Sequence, residues 1–187
     1  MNAANLVTCS RVLMIPIVIL LHYSSLPYHN LLAAGLFSIA SLTDWLDGYL
    51  ARRLNQTSDF GAFLDPVADK LLVVMALVLL AANHPQVWFV LPTAVIIARE
   101  VFVSALREWM ASNQQRNLVK VGYLGKVKTT IQMIGIIVLL AVDSAWPPLF
   151  LWLGYALIYV SAVFSLWSMI QYLRAAMPTL RGGIGDA

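Results

Sequence analysis

Five carboxylates lie within or at the ends of apolar stretches: Asp44, Asp47, Asp65, Asp69 and Glu100. An ionised group in such a setting is costly unless it is partnered or hydrated. Asp44 and Asp47 are three residues apart and Asp65 and Asp69 four apart, so on helices each pair projects from one face. If the turn between the two stretches centres near Gln56, the midpoint of each pair lies roughly ten residues from it, and an antiparallel hairpin brings both pairs to one level. Four converging carboxylates make an all-oxygen site suited to a hard cation, Mg²⁺ or Mn²⁺. Packing and interfacial charge explain isolated small residues such as Ala51 and Gly61, but not four aspartates at these spacings.

The neighbours of these carboxylates suit a phosphorylated ligand. Gly48, Ala51 and Gly61 let backbone or ligand approach closely, and Arg52, one turn beyond Gly48, is spaced to meet a phosphate. Further along, Arg99 stands in the middle of an apolar stretch, with Arg107, Lys126 and Lys128 toward its end and the start of the next. A dianionic phosphate needs such cations. Each has a second reading: Arg107, Lys126 and Lys128 as ordinary positive-inside anchors, Arg99 as a partner for Glu100 or for a carboxylate of the aspartate site.

The elements that must carry these residues are apolar helices. The chain is 60% hydrophobic and only 11% charged, with a mean hydropathy of +0.79, which excludes an ordinary soluble domain and makes a lipid bilayer the expected solvent. Apolar stretches at 6–22, 31–50, 60–82, 87–110, 124–142 and 149–173 predict an all-α membrane protein with six transmembrane helices, each near the roughly 20 residues a span needs. The first run reads as a retained span, since no small-residue cleavage site follows it. Lys and Arg fall at the start of the first stretch, between the second and third, around the link of the fourth and fifth, and after the sixth, while the other three connections carry none. Both termini are therefore expected in the cytoplasm, with the metal site near the cytoplasmic ends of helices 2 and 3. Residues 1–180 read as one six-helix domain and 181–187, rich in glycine, as a flexible tail. The lone Cys9 gives neither a disulfide nor a zinc motif. The formal charge of +3 comes without the basic, aromatic-interleaved platform of a nucleic-acid binder, so no nucleic-acid partner is expected.

The run DWLDGYLAR at 44–52, followed by Gly61, Asp65 and Asp69, resembles the signature DxxDGxxARx(8)GxxxDxxxD of the CDP-alcohol phosphatidyltransferases, and all eight fixed positions match. That resemblance implies Asp44, Asp47 and Asp65 as metal ligands, Asp69 as ligand and general base, and two Mg²⁺ or Mn²⁺ ions. It further implies Gly48, Arg52 and Ser58 as contacts to the CDP moiety of a CDP-diacylglycerol donor. Asn5, Thr8 and Arg11 are similar to the family's NxxTxxR element; Asn5 and Thr8 either reach the donor or cap the first helix. The segments REVFVSALRE at 99–108 and GKVKT at 125–129 resemble the branch whose acceptor is sn-glycerol 3-phosphate, implying Arg99, Arg107, Lys126 and Lys128 as acceptor-phosphate contacts. A homodimer in a bacterial inner membrane is implied as well. Two other readings remain: the same chemistry with inositol phosphate, phosphatidylglycerol or an amino alcohol as acceptor, and a metal-ion transporter whose aspartates line a pathway.

Overall fold

The computed structural model describes residues 3–54, 59–112 and 123–184, with side chains described over 9–43, 67–112 and, apart from Lys126, 125–178. These residues form six α-helices and, among themselves, no strand: α1 (Ala3–His22), α2 (His29–Leu54), α3 (Asp59–Asn83), α4 (Val87–Ser112), α5 (Tyr123–Ala141) and α6 (Pro148–Ile184). Two of the helices are long and apolar enough to cross a membrane, Val87–Ser112 and Pro148–Pro178. Shorter apolar helical stretches occupy Cys9–His22, His29–Thr43 and Val127–Ala141.

Proline and turn chemistry explain where the connections fall. Pro85 precedes α4, whose first turn is closed by Phe89 N–H donating to Gln86 O at 2.9 Å. Pro148 opens α6, where a fixed φ and a missing N–H cost least. Between α1 and α2, Tyr28 takes φ 61°, a left-handed conformation that turns the chain back sharply.

The first three helices associate through α1 against α2 and α3, and the last three through α6 against α4 and α5; α2 also packs on α5 and α3 on α4. The shared core contains Val18, Phe37, Leu77, Ile96, Ile136 and Ile158, all buried. Outside it, large apolar side chains face outward, among them Leu13, Leu20, Val101, Trp152, Val163 and Trp167.

One end of the bundle is tied by uncharged polar contacts. The His29 ring meets His22 O, Asn83 meets the His22 ring, Asn30 donates to Val142 O, and Tyr155 Oη lies 2.9 Å from His84 Nδ1. The charged residues of α4 and α5 gather toward the opposite end. There α6 continues as helix to Ile184, past Arg181, where the flexible tail was expected to begin. Adding residues to an existing helix costs far less than starting one, so Gly182 and Gly183 extend it despite their poor propensity.

Candidate active site

At that charged end α3, α4, α5 and α6 enclose a cavity of about 260 Å³. Its wall is made by Asp69 and Lys70 of α3, by Arg99, Glu100, Val103, Ser104 and Arg107 of α4, by Gly125 and Thr129 of α5, and by Tyr172 of α6. Arg99, Val103 and Arg107 recur every four residues, so a single stripe of α4 faces the space. Gly125 and Thr129 on α5 share that spacing, and Thr129 spends its hydroxyl hydrogen on Gly125 O at 2.9 Å.

Arg99 is buried yet reaches the cavity. Its Nη1 donates to Glu100 Oε1 at 3.0 Å and its Nη2 to Ser168 Oγ at 2.8 Å. The same Glu100 oxygen receives the Lys128 ammonium. Lys128 is 1% exposed and stands behind Glu100, so one carboxylate serves two cations and the cluster keeps an excess of positive charge. With Lys70, Arg107 and Asp69 included, four cations oppose two carboxylates around the cavity among the described residues, a balance suited to a dianion.

Among the residues singled out by sequence, Asp69, Arg99 and Arg107 share this cavity, while Lys128 supports it from behind. Asp44, Asp47, Gly48 and Arg52 lie on α2 and Asp65 on α3; their side chains are outside the described residues, as is that of Lys126. Asn5 and Thr8 lie in the first turns of α1, again without described side chains, and Ser58 is wholly outside the described residues. The aspartate pairs centre about two turns from the facing ends of α2 and α3, two helices that contact each other. Their donor set is carboxylate oxygen throughout, which fits a hard divalent cation and not a soft one.

Two features were missed by sequence reasoning. Arg11, counted there for its charge and its place in a motif, is 1% exposed and among the largest fully buried side chains. Ser161, Ser165 and Ser168 form a buried serine stripe on α6. Their spacing within an otherwise apolar helix was the available signal, and the stripe meets Gln132 through Ser161 and Arg99 through Ser168.

Comparison with known proteins agrees with the motif. The family model described as CDP-alcohol phosphatidyltransferase matches residues 1–167. A Pseudomonas fluorescens protein named CDP-diacylglycerol–glycerol-3-phosphate 3-phosphatidyltransferase is 52% identical over 182 residues, covering 97% of this chain and 93% of its own. Proteins of the same name from Shigella flexneri serotype 5b and Escherichia coli K12 are each 48% identical over 179 residues, covering 96% of this chain and 97% of theirs. With the signature complete and the likeness spanning nearly the whole length, the chain belongs to the CDP-alcohol phosphatidyltransferase family.

Proposed function

We propose that this protein transfers the phosphatidyl group of CDP-diacylglycerol to sn-glycerol 3-phosphate, giving phosphatidylglycerophosphate and CMP. The observation that carries this reading is the sharing of one cavity by Asp69 and the Arg99–Arg107 stripe. It sets the last carboxylate of the signature beside cations able to hold an acceptor's phosphate. The names of relatives about half identical to this chain support the same acceptor.

In this reading the acceptor phosphate rests on Arg99 and Arg107, leaving the free primary hydroxyl directed at the donor. Asp69 accepts the hydroxyl proton as the oxygen attacks the phosphorus that bears the diacylglycerol. A new P–O bond forms to glycerol 3-phosphate, the P–O bond to CMP breaks, and CMP departs with the electron pair. Holding the two substrates in line removes much of the entropic barrier. Asp44, Asp47, Asp65 and Asp69 would hold Mg²⁺ or Mn²⁺, two ions in all, to neutralise the pyrophosphate and polarise the phosphoryl group. Asn5, Thr8, Gly48, Arg52 and Ser58 would contact the donor's CDP portion.

The apolar exterior and the two helices long and apolar enough to cross a membrane support a membrane protein, which we read as having six spans from the apolar stretches of the sequence. In this reading the positive connections face the cytoplasm together with the cavity and both termini, the site of action is a bacterial inner membrane and the assembly is a homodimer. Incorporation of labelled glycerol 3-phosphate into extractable lipid tests the reaction. It should require CDP-diacylglycerol, stop on chelation of divalent metal and return with Mg²⁺ or Mn²⁺; incorporation without the CDP-lipid would overturn it.

A further inference from the structure

We infer that Ser168 of α6 is a positioning residue for the acceptor site, fixing the Arg99 guanidinium in the orientation that receives a phosphate. This rests on the proposed role of the cavity as the acceptor site. Arg99 and Glu100 are adjacent on α4, and a guanidinium is able to meet a carboxylate with both arms. The structure shows a different arrangement. Nη1 alone meets Glu100, while Nη2 is drawn to Ser168 at 2.8 Å. Ser168 donates its own hydroxyl hydrogen to Ser165 O at 3.1 Å, so it offers a lone pair to Arg99 and acts as acceptor only.

Two further observations point the same way. Lys128 also donates to the Glu100 oxygen, which weakens that carboxylate's hold on Arg99 and leaves arginine charge for an incoming anion. Arg99 Nε is buried and has no hydrogen-bond partner among the described residues, so the side chain retains donor capacity beside a polar cavity. Ser168 is 5% exposed and does not line the cavity, so its effect on the ligand must pass through Arg99.

The test compares the purified wild type with Ser168→Ala and Ser168→Thr in steady-state turnover, together with calorimetric titration of inorganic phosphate in the absence of lipid donor. Removing a hydrogen bond to a charged group should raise the KM for glycerol 3-phosphate about tenfold and weaken phosphate binding to match, with kcat and the KM for CDP-diacylglycerol within about twofold of wild type. Ser168→Thr, which keeps the hydroxyl, should stay close to wild type. An unchanged acceptor KM in Ser168→Ala, or equal increases in both KM values, would overturn the inference. The titration separates this inference from the proposed reaction. If the wild type failed to use glycerol 3-phosphate but still bound phosphate in a Ser168-dependent way, the reaction would fall and the positioning role would stand; equal phosphate affinity in wild type and Ser168→Ala would overturn the positioning role whatever the reaction.

Discussion

Glu100 is the residue on which the charge arrangement of the cavity turns. It accepts from Arg99 and Lys128 together, and Lys128 has almost no contact with solvent. Removing the carboxylate charge strands a buried ammonium, which costs about 3 kcal/mol or more. Replacing Glu100 and Lys128 together by uncharged side chains of similar size removes the stranded ammonium, while Arg99 loses its carboxylate and keeps Ser168. Glu100→Gln should therefore lower the thermal unfolding midpoint in detergent by several degrees, and Glu100→Gln combined with Lys128→Met should recover the part of that loss due to the stranded ammonium. If the double variant is no more stable than Glu100→Gln alone, the ion pair is not what the carboxylate is for. The two residues lie 28 positions apart in sequence, and Ser168 lies 69 from Arg99. No local spacing exposes such pairings. The aspartate spacings, by contrast, were legible because each pair is set within one helical turn. In sequence Lys128 reads equally well as a topology anchor or a phosphate ligand, and its burial behind Glu100 assigns it to neither role in a simple way.

At the scale of elements, α5 and α6 depend on two glycines for their close approach. A Cβ on Gly135 would lie 3.0 Å from Leu157 Cβ, and one on Gly154 would lie 2.5 Å from Leu139 Cδ2 and 2.6 Å from Leu139 Cγ. Leu139 is buried, so it can make room only by leaving its rotamer or pushing the helices apart. Gly154→Ala should cost about 1–3 kcal/mol, seen as a lower unfolding midpoint. In Gly154→Ala combined with Leu139→Ala, the midpoint loss should be smaller than the sum of the two single losses, as for two residues competing for one space. Strict additivity would show that the contact does not limit the packing. The helices themselves were readable from the apolar stretches, and most of their ends fall within three residues of those expected, but α2 and α6 run on further. The stretch expected at 31–50 is the helix His29–Leu54, and that at 149–173 is Pro148–Ile184. Hydropathy marks the part of a helix that suits lipid, whereas backbone hydrogen bonding carries the helix on through polar residues, and in α6 past Pro178.

Across the whole molecule the two ends differ in chemistry. The cavity end gathers the cations and carboxylates of α4 and α5, while the opposite end, with Asp143 in its α5–α6 connection, is closed by imidazole, amide and aromatic groups, including the stack of Trp88 on Trp152 and the His84–Tyr155 contact. His84 lies in the connection between α3 and α4, and burial pushes its imidazole below the ordinary value of 6.5. The unfolded chain, with the ordinary value, therefore takes up a proton first as pH falls. The stabilisation from neutral His84 is complete above about pH 6.5 and is lost as pH drops through that value toward the depressed one. The unfolding midpoint should fall between pH 7.5 and pH 5.5, and should fall less in His84→Gln; an identical slope in the variant would remove His84 from the explanation. The polarity between the ends was legible from the distribution of Lys and Arg, but the cavity was not, since it is assembled from four helices.

The central claim is that the cavity uniting Asp69 with Arg99 and Arg107 receives a phosphorylated acceptor for transfer from a CDP-activated lipid. The most direct measurement is CMP release from CDP-diacylglycerol by the purified protein with Mg²⁺ or Mn²⁺, offering glycerol 3-phosphate, glycerol, inositol phosphate and serine separately, with Asp69→Asn as control. The account predicts release with glycerol 3-phosphate alone, lowered by about 100-fold or more in Asp69→Asn. Release that proceeds equally with glycerol or serine, or that survives in Asp69→Asn, would contradict it.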